Sequence, residues 1–230
     1  MTIHSTVKIH PTAVLEGDIS IAEGTEIGAL CYIKGPATIG KNNKILPHTV
    51  IGCDGEHKTA APQGRIIIGD NNRISELVVI QRGTGDRDTQ IGNNCYIMDH
   101  CHIAHDVLIQ DDVTLSPNVV LGGHTIIMQG ATVGIATITH QLSTIGSYSM
   151  IGMGSVVTKD IPPLCLVMGN PAHLQRFNTH VFKKLGIAEP DVEMHLGESP
   201  CLTTTSTIVK ELYNDFNALS RRKKIITLKE

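Results

Sequence analysis

Aliphatic residues recur at every sixth position along most of the chain. The period runs through Ile9, Leu15, Ile21, Ile27, Ile33, Ile39, Ile45 and Ile51, resumes at Ile68, Ile74 and Ile80, and returns from Ile91 to Val133 and from Ile145 to Val157. Six matches neither the turn of an α-helix nor a heptad. It contains an even number of strand steps, so all these side chains point to the same side of an extended chain. The period excludes a helical protein and predicts a series of short strands.

Glycine follows many of these aliphatic residues and marks turns between the strands. The glycines in question are Gly28, Gly40, Gly52, Gly69, Gly92, Gly122, Gly134, Gly146 and Gly152. Strands that turn by the same angle every six residues close a triangular coil after three hexads, or eighteen residues. The sequence therefore predicts a mainly β protein built on a parallel β-helix, over about residues 1–165.

Two breaks in the register predict loops that leave the β-helix. Ile51 and Ile68 are seventeen residues apart, and Ile80 and Ile91 are eleven apart, so neither interval is a multiple of six. We place the loops within about 53–66 and 82–90. Excursions from a rigid scaffold commonly carry substrate contacts, although a plain surface insertion would leave the same signal.

The repeat ends at Asp160–Pro163, and the C-terminal extension, 166–230, has a different pattern. The spacing of Ile208, Leu212, Phe216 and Leu219 predicts one face of a helix, with Ser206 as its N-cap. A basic run follows the helix: Arg221, Arg222, Lys223 and Lys224. Such a run fits a solvated surface, or a docking patch for an acidic protein.

Composition disfavours several classes of protein. Aromatic residues make up 3% of the chain and the net charge is −3, which disfavours a protein that binds nucleic acid. The first residues lack the pattern of a signal peptide, and no apolar run is long enough for a transmembrane helix. The six cysteines include no CxxC motif. These features predict a cytoplasmic location and reduced thiols.

Histidines concentrate in one part of the β-helix. His100, His102, His105, His124 and His140 lie within about forty residues. Gly123 follows His105 by eighteen residues, one full coil, so we expect the two to stack on the same face. A base beside a free backbone N–H suits acyl transfer, because the N–H stabilises the oxyanion of the tetrahedral intermediate. Histidines that merely line a polar outer face are the alternative for any one of them.

Several short motifs together resemble a known family. They are His102-Ile-Ala-His-Asp106, Leu121-Gly-Gly-His124, Thr139-His-Gln141, Ile80-Gln-Arg-Gly-Thr84 and Gly169-Asn170. The pattern resembles the UDP-N-acetylglucosamine 3-O-acyltransferases, the first enzymes of lipid A synthesis, and extends over about residues 9–184. The resemblance implies the hexapeptide-repeat, left-handed parallel β-helix, followed by a short α-helical C-terminal region, and a homotrimer with its sites between chains.

The resemblance also implies an activity and roles for individual residues. A 3-hydroxyacyl group would pass from acyl carrier protein to the 3-hydroxyl of UDP-N-acetylglucosamine, without metal or cofactor. His105 matches the general base, Asp106 the carboxylate that orients it, and Gly123 the oxyanion amide. The positions that match substrate contacts are Glu56, Lys58, His102, His124, His140, Gln141, Asn178, His180 and Lys184. The basic run, Arg221 to Lys224, remains the candidate for docking the acidic carrier protein.

Three features qualify that assignment. Adjacent residues of a strand point to opposite faces, so Asp106 reaches His105 only if the chain turns there. Glu56 stands where the family usually has Asp, and His180 and Lys184 stand where it has Glu and Arg. Lysine cannot reproduce the planar two-pronged contact of arginine.

Met153 occupies the position that sets acyl length in the family, where glycine accompanies long chains. A methionine at the end of an apolar groove would fill the space of the last methylenes, each worth roughly 0.8 kcal/mol of burial. We therefore expect a medium-chain donor. Ordinary core packing is the alternative role for Met153.

Two other functions fit the same sequence, and a third, zinc binding, lacks a ligand. A zinc site resembling that of the hexapeptide-repeat carbonic anhydrases could use His100 and His105, but it needs a third histidine about two coils earlier, and 60–72 contains none. A related acyltransferase could use an amine acceptor with the same base. A non-catalytic paralogue could bind sugar nucleotide or carrier protein without turnover.

Overall fold

The chain folds as a triangular coil of three parallel sheets. The computed structural model describes residues 1–58, 63–85, 87–195 and 201–228. The first sheet contains Thr2–Ile3, Ile19–Ile21, Ala37–Ile39, Ile66–Ile68, Thr89–Ile91, Leu108–Ile109, Ile126–Ile127 and Thr144–Ile145. The second contains Lys8–Ile9, Glu26–Ile27, Lys44–Ile45, Arg73–Ile74, Tyr96–Ile97, Thr114–Leu115, Thr132–Val133, Met150–Ile151, Cys165–Met168 and His173–Phe177. The third contains Val14–Glu16, Tyr32–Lys34, Val50–Cys53, Val79–Gln81, His102–Ile103, Val120–Leu121, Ile138–Thr139 and Val156–Val157.

The register of the sheets confirms the eighteen-residue coil. Leu115 pairs with Val133 in the second sheet, and Ile103 pairs with Leu121 in the third. The aliphatic residues of the hexad column point inward from their strands, and from Ile21 to Val157 their side chains are almost fully buried. The hexad column is thus the core, and the architecture is the predicted left-handed parallel β-helix.

Most corners of the coil contain a residue in the left-handed backbone region. From Asn94 to His124 these residues recur every sixth position: Asn94, His100, Asp106, Asp112, Asn118 and His124, with φ between 57° and 60°. An L-residue pays roughly 1–2 kcal/mol for this conformation, least for Asn and Asp. The preference explains why short polar residues recur at the corners of the sequence.

Both predicted loops leave the coil where the register breaks. The first lies between Val50–Cys53 and Ile66–Ile68, and the second between Val79–Gln81 and Thr89–Ile91. Residues 59–62 of the first and residue 86 of the second lie outside the described part of the chain. The remaining loop residues fold back over the corner between the third and first sheets.

The second sheet continues past the end of the hexad repeat. Cys165–Met168 pairs in parallel with Met150–Ile151. His173–Phe177 pairs antiparallel with Cys165–Met168. The predicted boundary between residues 165 and 166 falls inside the strand Cys165–Met168. Beyond it lie short 3-10 helices at Thr179–Val181 and Glu189–Asp191, an α-helix at Phe182–Leu185, and a three-stranded sheet of Val192–His195, Cys201–Thr204 and Thr227–Leu228.

The predicted C-terminal helix forms at Thr207–Leu219, and its buried face is wider than the predicted stripe. Ser206 caps it, since its hydroxyl accepts from the Val209 N–H over 3.4 Å. The buried side chains are Val209, Tyr213 and Phe216, whereas Ile208 is 38% exposed. Of the predicted stripe, Phe216 is buried, and Leu212 and Leu219 are partly buried against the two apolar clusters, so the prediction was wrong at Ile208. Two surfaces share the helix. Phe216 packs on the outer face of the first sheet, while Val209 and Tyr213 join the core.

The helices and cysteines bear on the predicted location. None of the helices in the described ranges is long and apolar enough to cross a membrane. Five cysteines, Cys31, Cys53, Cys95, Cys101 and Cys165, are free thiols. Burial raises the pKa of Cys95 and of Cys101 to about 11, so these thiols stay protonated at neutral pH.

Candidate active site

The candidate site lies along the corner between the third and first sheets. The turn at His105 and Asp106 joins His102–Ile103 to Leu108–Ile109. The next coil places Gly123 and His124 at this corner, and the coil after that places Gln141 there. Consecutive coils lie about 4.8 Å apart, so these groups form a short column on the surface.

His105 and Asp106 form a hydrogen-bonded pair. Nδ1 of His105 lies 2.6 Å from Oδ2 of Asp106. The pair is possible because Asp106 occupies the left-handed region, with φ of 60°, so the chain turns between the two residues. The chain therefore makes the turn that the sequence analysis requires for Asp106 to reach His105. With Nδ1 bound to a carboxylate, Nε2 of His105 is available to accept a proton.

Asp106 is fully buried and held by the second loop. The Thr84 hydroxyl donates to Oδ2 over 2.6 Å, and the Thr84 N–H donates to Oδ1 over 3.1 Å. Burial raises the pKa of Asp106, but the hydrogen bonds from Thr84 and His105 outweigh it and hold the pKa below its usual value. The group therefore remains a carboxylate. Thr84 ends the motif Ile80-Gln-Arg-Gly-Thr84, but the sequence analysis did not predict its hydrogen bonds to Asp106.

Gly123 lies directly against the ring of His105. A Cβ placed on Gly123 would be 2.7 Å from both Cε1 and Nε2 of His105, closer than any side chain tolerates. The expected stacking is confirmed. Within the described residues, no hydrogen bond uses the Gly123 N–H, so this donor is available beside the base.

The first loop covers the other side of His105. A Cβ on Gly55 would lie 2.7 Å from Cβ of His105, and the His57 ring makes an edge contact with the His105 ring at 5.8 Å between centroids. Glu56 and Lys58, the predicted substrate contacts, flank His57 and are exposed. The loop leaves His105 only 8% exposed.

Arg87, which the sequence analysis missed, ties the second loop to the column. Its Nε donates to the carbonyl of Asp106, and its Nη2 donates to the carbonyl of His124 over 2.8 Å. The guanidinium therefore bridges two successive turns of the same corner. No periodic signal marks Arg87, because its position follows from the path of an irregular loop.

His124 and His102 take different positions around the base. His124 sits beside His105, with ring centroids 5.3 Å apart, and its Nε2 lies 3.6 Å from Oδ2 of Asp106. His102 is half-buried on the outer face of the third sheet, in register with Val79 and Val120. His124 thus belongs to the column, and His102 to the adjoining face.

The cluster of His105, Asp106 and His124 also resembles a metal-ligand set. Their ligand atoms lie within 4.8 Å of one another. Two ligands of a tetrahedral zinc ion at the usual bond lengths are about 3.3 Å apart. The separation of 2.6 Å between His105 and Asp106 is too short for that and fits a hydrogen bond. The geometry favours an acid–base pair. His100, the other proposed ligand, is exposed and pairs with Asp99.

Comparisons with known proteins place the chain in a family. Residues 18–53 and 88–123 match the family described as bacterial transferase hexapeptide (six repeats). The chain is 33% identical to the acyl-(acyl-carrier-protein)–UDP-N-acetylglucosamine O-acyltransferase of Aliivibrio salmonicida, over 97% of this chain and 90% of that protein. It is 36% identical to the protein of that name from Gloeothece citriformis, over 70% of this chain and 59% of that protein. The chain belongs to this O-acyltransferase family.

A solved structure of the same family has the same fold. The UDP-N-acetylglucosamine acyltransferase of Francisella novicida matches with a TM-score of 0.81 and 26% identity, over 98% of this chain and 94% of that one. The match covers almost the whole chain, including the region after about residue 184 to which the resemblance between motifs did not extend.

The C-terminal segment of the chain reaches the same corner. Nη1 of Arg222 lies 3.1 Å from Nδ1 of His140 and 3.3 Å from the carbonyl oxygen of Gln141. Arg221 and Lys223 are exposed, whereas Lys224 lies over the Phe216 ring. The four basic residues therefore do not form one uniform patch.

The predicted nucleotide contacts near the C-terminus lie at a different corner of this chain. Asn178 is buried, and its side-chain amide donates over 2.8 Å to the carbonyl of Tyr148, between the first and second sheets. His180 and Lys184 follow it and are exposed. A single chain does not bring Asn178 to the corner of His105.

Met153 is exposed at the third corner. It lies between Met150–Ile151 and Val156–Val157 and is 74% exposed, stacked one coil above Ile135, which is 46% exposed. Core packing is therefore not the role of Met153 in this chain.

Proposed function

We propose that this protein transfers a 3-hydroxyacyl group from acyl carrier protein to the 3-hydroxyl of UDP-N-acetylglucosamine, the first step of lipid A synthesis. The observation that carries the proposal is the pairing of His105 with the buried Asp106, directly beside Gly123. Family membership supports the choice of both substrates, since the names of relatives include acyl carrier protein and UDP-N-acetylglucosamine.

The geometry suits one general-base step followed by one general-acid step. Nε2 of His105 takes the proton of the sugar hydroxyl while its oxygen attacks the thioester carbonyl. The oxyanion of the tetrahedral intermediate forms beside the Gly123 N–H. When the intermediate collapses, the C–S bond breaks and His105 returns its proton to the thiolate. The Asp106 carboxylate stabilises the imidazolium between these steps.

These steps need proton transfers and one oxyanion donor, so we propose that no metal or cofactor takes part. The surrounding groups serve to bind substrate. Glu56, Lys58, His102 and His124 lie around His105, and His140 and Gln141 extend the column by a further coil. Asn178, His180 and Lys184 would reach a nucleotide only from another chain. We assign Arg221 and Lys223, the exposed members of the basic run, to contact with the acidic carrier protein.

A homotrimer would bring such groups together. The outer face of the third sheet is mostly apolar. Val50, Val79, Val120, Ile138 and Val156 lie in one row, interrupted by His102 between Val79 and Val120. The outer face of the second sheet carries Lys44 and Arg73 instead, and the C-terminal helix packs on the first sheet. An exposed apolar row on a rigid scaffold is typical of an interface. We propose that another copy of this chain covers the third sheet, in a cytoplasmic protein.

Mass spectrometry of the purified protein tests the activity. UDP-N-acetylglucosamine and a series of 3-hydroxyacyl carrier proteins are the substrates, and the acylated sugar nucleotide is the product. We expect product from the parent protein, and a rate at least 100-fold lower from His105→Ala. His100→Ala is the matched control, since His100 is exposed and pairs with Asp99. Product that persists in His105→Ala, or no product with any donor, contradicts the proposal.

A further inference from the structure

The C-terminal segment brings one guanidinium onto the candidate site. Arg222 contacts Nδ1 of His140 at 3.1 Å and the carbonyl of Gln141 at 3.3 Å through Nη1, and its Nη2 donates to the carbonyl of Thr158 over 3.0 Å. These partners come from two successive turns of the corner that also carries His105. A segment more than sixty residues later in the chain thus completes this part of the surface.

The backbone around Arg222 is fixed by a buried carboxylate. Oδ2 of Asp160 accepts from the Ser220 hydroxyl over 2.7 Å and from the N–H groups of Arg221 and Arg222 over 2.9 Å each. Asp160 is fully buried and its Oδ1 accepts from the Thr144 N–H. The backbone at Arg222 is therefore held in place by Asp160.

The contact with Arg222 decides which nitrogen of His140 carries the proton. A guanidinium only donates hydrogen bonds, so its contact with Nδ1 requires a lone pair there. Nδ1 also lies 3.0 Å from the Gln141 carbonyl and could donate to it if protonated. A proton on Nδ1 would then face the Nη1 donors at 3.1 Å, which is unfavourable. With Nδ1 unprotonated, Nη1 of Arg222 can donate one hydrogen to Nδ1 of His140 and the other to the Gln141 carbonyl.

We propose that Arg222 is a positioning residue that holds neutral His140 in the tautomer with its proton on Nε2. His140 then offers an N–H donor to a ligand along the corner. The column places it about two coils, roughly 10 Å, from His105, within reach of one extended substrate. Among the described residues Arg222 forms no ion pair, so its charge also favours an anionic ligand such as a nucleoside diphosphate sugar.

The choice of ligand rests on the proposed function, but the tautomer does not. Protein labelled with ¹⁵N-histidine is measured at about pH 9, where an ordinary imidazole is neutral. The His140→Gln variant assigns the His140 resonances. In the parent protein we expect a protonated Nε2 and a bare Nδ1.

Arg222→Met keeps an unbranched side chain and removes every donor. We expect the proton of His140 to move to Nδ1, where the Gln141 carbonyl accepts it. Arg221→Met is the matched control, because it leaves the contacts of Arg222 in place and should leave the tautomer of His140 as in the parent. A protonated Nδ1 in the parent, or the same tautomer in the parent and in Arg222→Met, overturns the proposal.

Kinetics separate this role from docking of the carrier protein. Arg222→Met should raise KM for UDP-N-acetylglucosamine about tenfold, with kcat within about threefold, as expected when one hydrogen bond to the bound substrate is lost. A rise in KM for the acyl carrier protein alone overturns the role in sugar-nucleotide binding. If the proposed activity is absent, the tautomer measurement still decides whether Arg222 controls His140.

Discussion

A Cβ on Gly123 would lie 2.7 Å from both Cε1 and Nε2 of His105. Any side chain at position 123 would therefore have to displace the His105 ring. Because Gly123 is not among the residues with positive φ, this requirement comes from the neighbouring ring and not from the backbone. The same close approach brings the Gly123 N–H beside the atom that would take the proton.

Gly123→Ala is expected to reduce activity while leaving the fold intact. The added methyl group must displace the His105 ring, and misplacement of about 1 Å costs about 100-fold in rate. The acyltransfer rate and the thermal unfolding midpoint are the two measurements. We expect kcat/KM to fall at least 100-fold and the midpoint to change by a few degrees at most.

Gly186→Ala is the matched control for that substitution. Gly186 has φ of 68° and open space around its Cα, so alanine costs roughly 1 kcal/mol of stability through the backbone. We expect the opposite pattern, a lower unfolding midpoint with activity retained. Equal activity in Gly123→Ala and the parent would contradict the role of the close approach.

The fold was largely predictable from the sequence because its core is periodic. A column of aliphatic residues every six positions specifies the strand direction, the coil length and the two loop positions, since each coil repeats the last one. The C-terminal helix was predicted with its cap, but its buried face only in part. Ile208 was expected inside and is exposed, whereas Phe216 is buried and Leu212 and Leu219 are partly buried. Val209 and Tyr213 are buried as well, because the helix packs against two surfaces.

The site was predictable only where it follows the coil. His105 and Gly123 stack because they are eighteen residues apart, and the spacing alone predicts this contact. Thr84 and Arg87 reach Asp106 from a loop whose path no repeat determines. The contact of Arg222 with His140 joins parts of the chain eighty-two residues apart, and it depends on how the C-terminal segment returns to the coil.

The buried carboxylate of Asp106 should make the protein less stable in acid. Its pKa is lower in the folded protein than the ordinary value of 3.8, so the unfolded chain binds more protons over this range. The stabilisation is present above that ordinary value and is lost as pH falls through the lower, folded pKa. The free energy of unfolding, measured by denaturant titration between about pH 5 and pH 2, should fall less steeply in Asp106→Asn. Equal slopes in the two proteins would contradict this account.

The apolar row on the third sheet should hold the proposed trimer together. Ile138, between Val120 and Val156 in that row, is 48% exposed in the single chain. Ile138→Lys would place a charge inside the interface, and we expect the mass in solution to fall from three times the 24.8 kDa of one chain towards that of one chain. Light scattering after gel filtration gives the mass.

Met150→Lys is the matched control for the trimer. Met150 is 38% exposed on the outer face of the second sheet, so a lysine there should leave the assembly unchanged. A parent protein that is already monomeric, or an Ile138→Lys variant that remains trimeric, would rule out the third sheet as the interface.

Met153 should limit the length of the acyl chain. The apolar row of the third sheet lies between the corner of His105 and the corner where Met153 is 74% exposed. A chain bound along this face from His105 would meet Met153 and lose roughly 0.8 kcal/mol for each methylene kept out of the groove. Met153→Gly should therefore shift the preferred donor to a longer acyl chain, by about fourfold in relative kcat/KM per added methylene. Competition between donors of different length, with products resolved by mass spectrometry, gives this ratio, and an unchanged profile would remove Met153 from the acyl site.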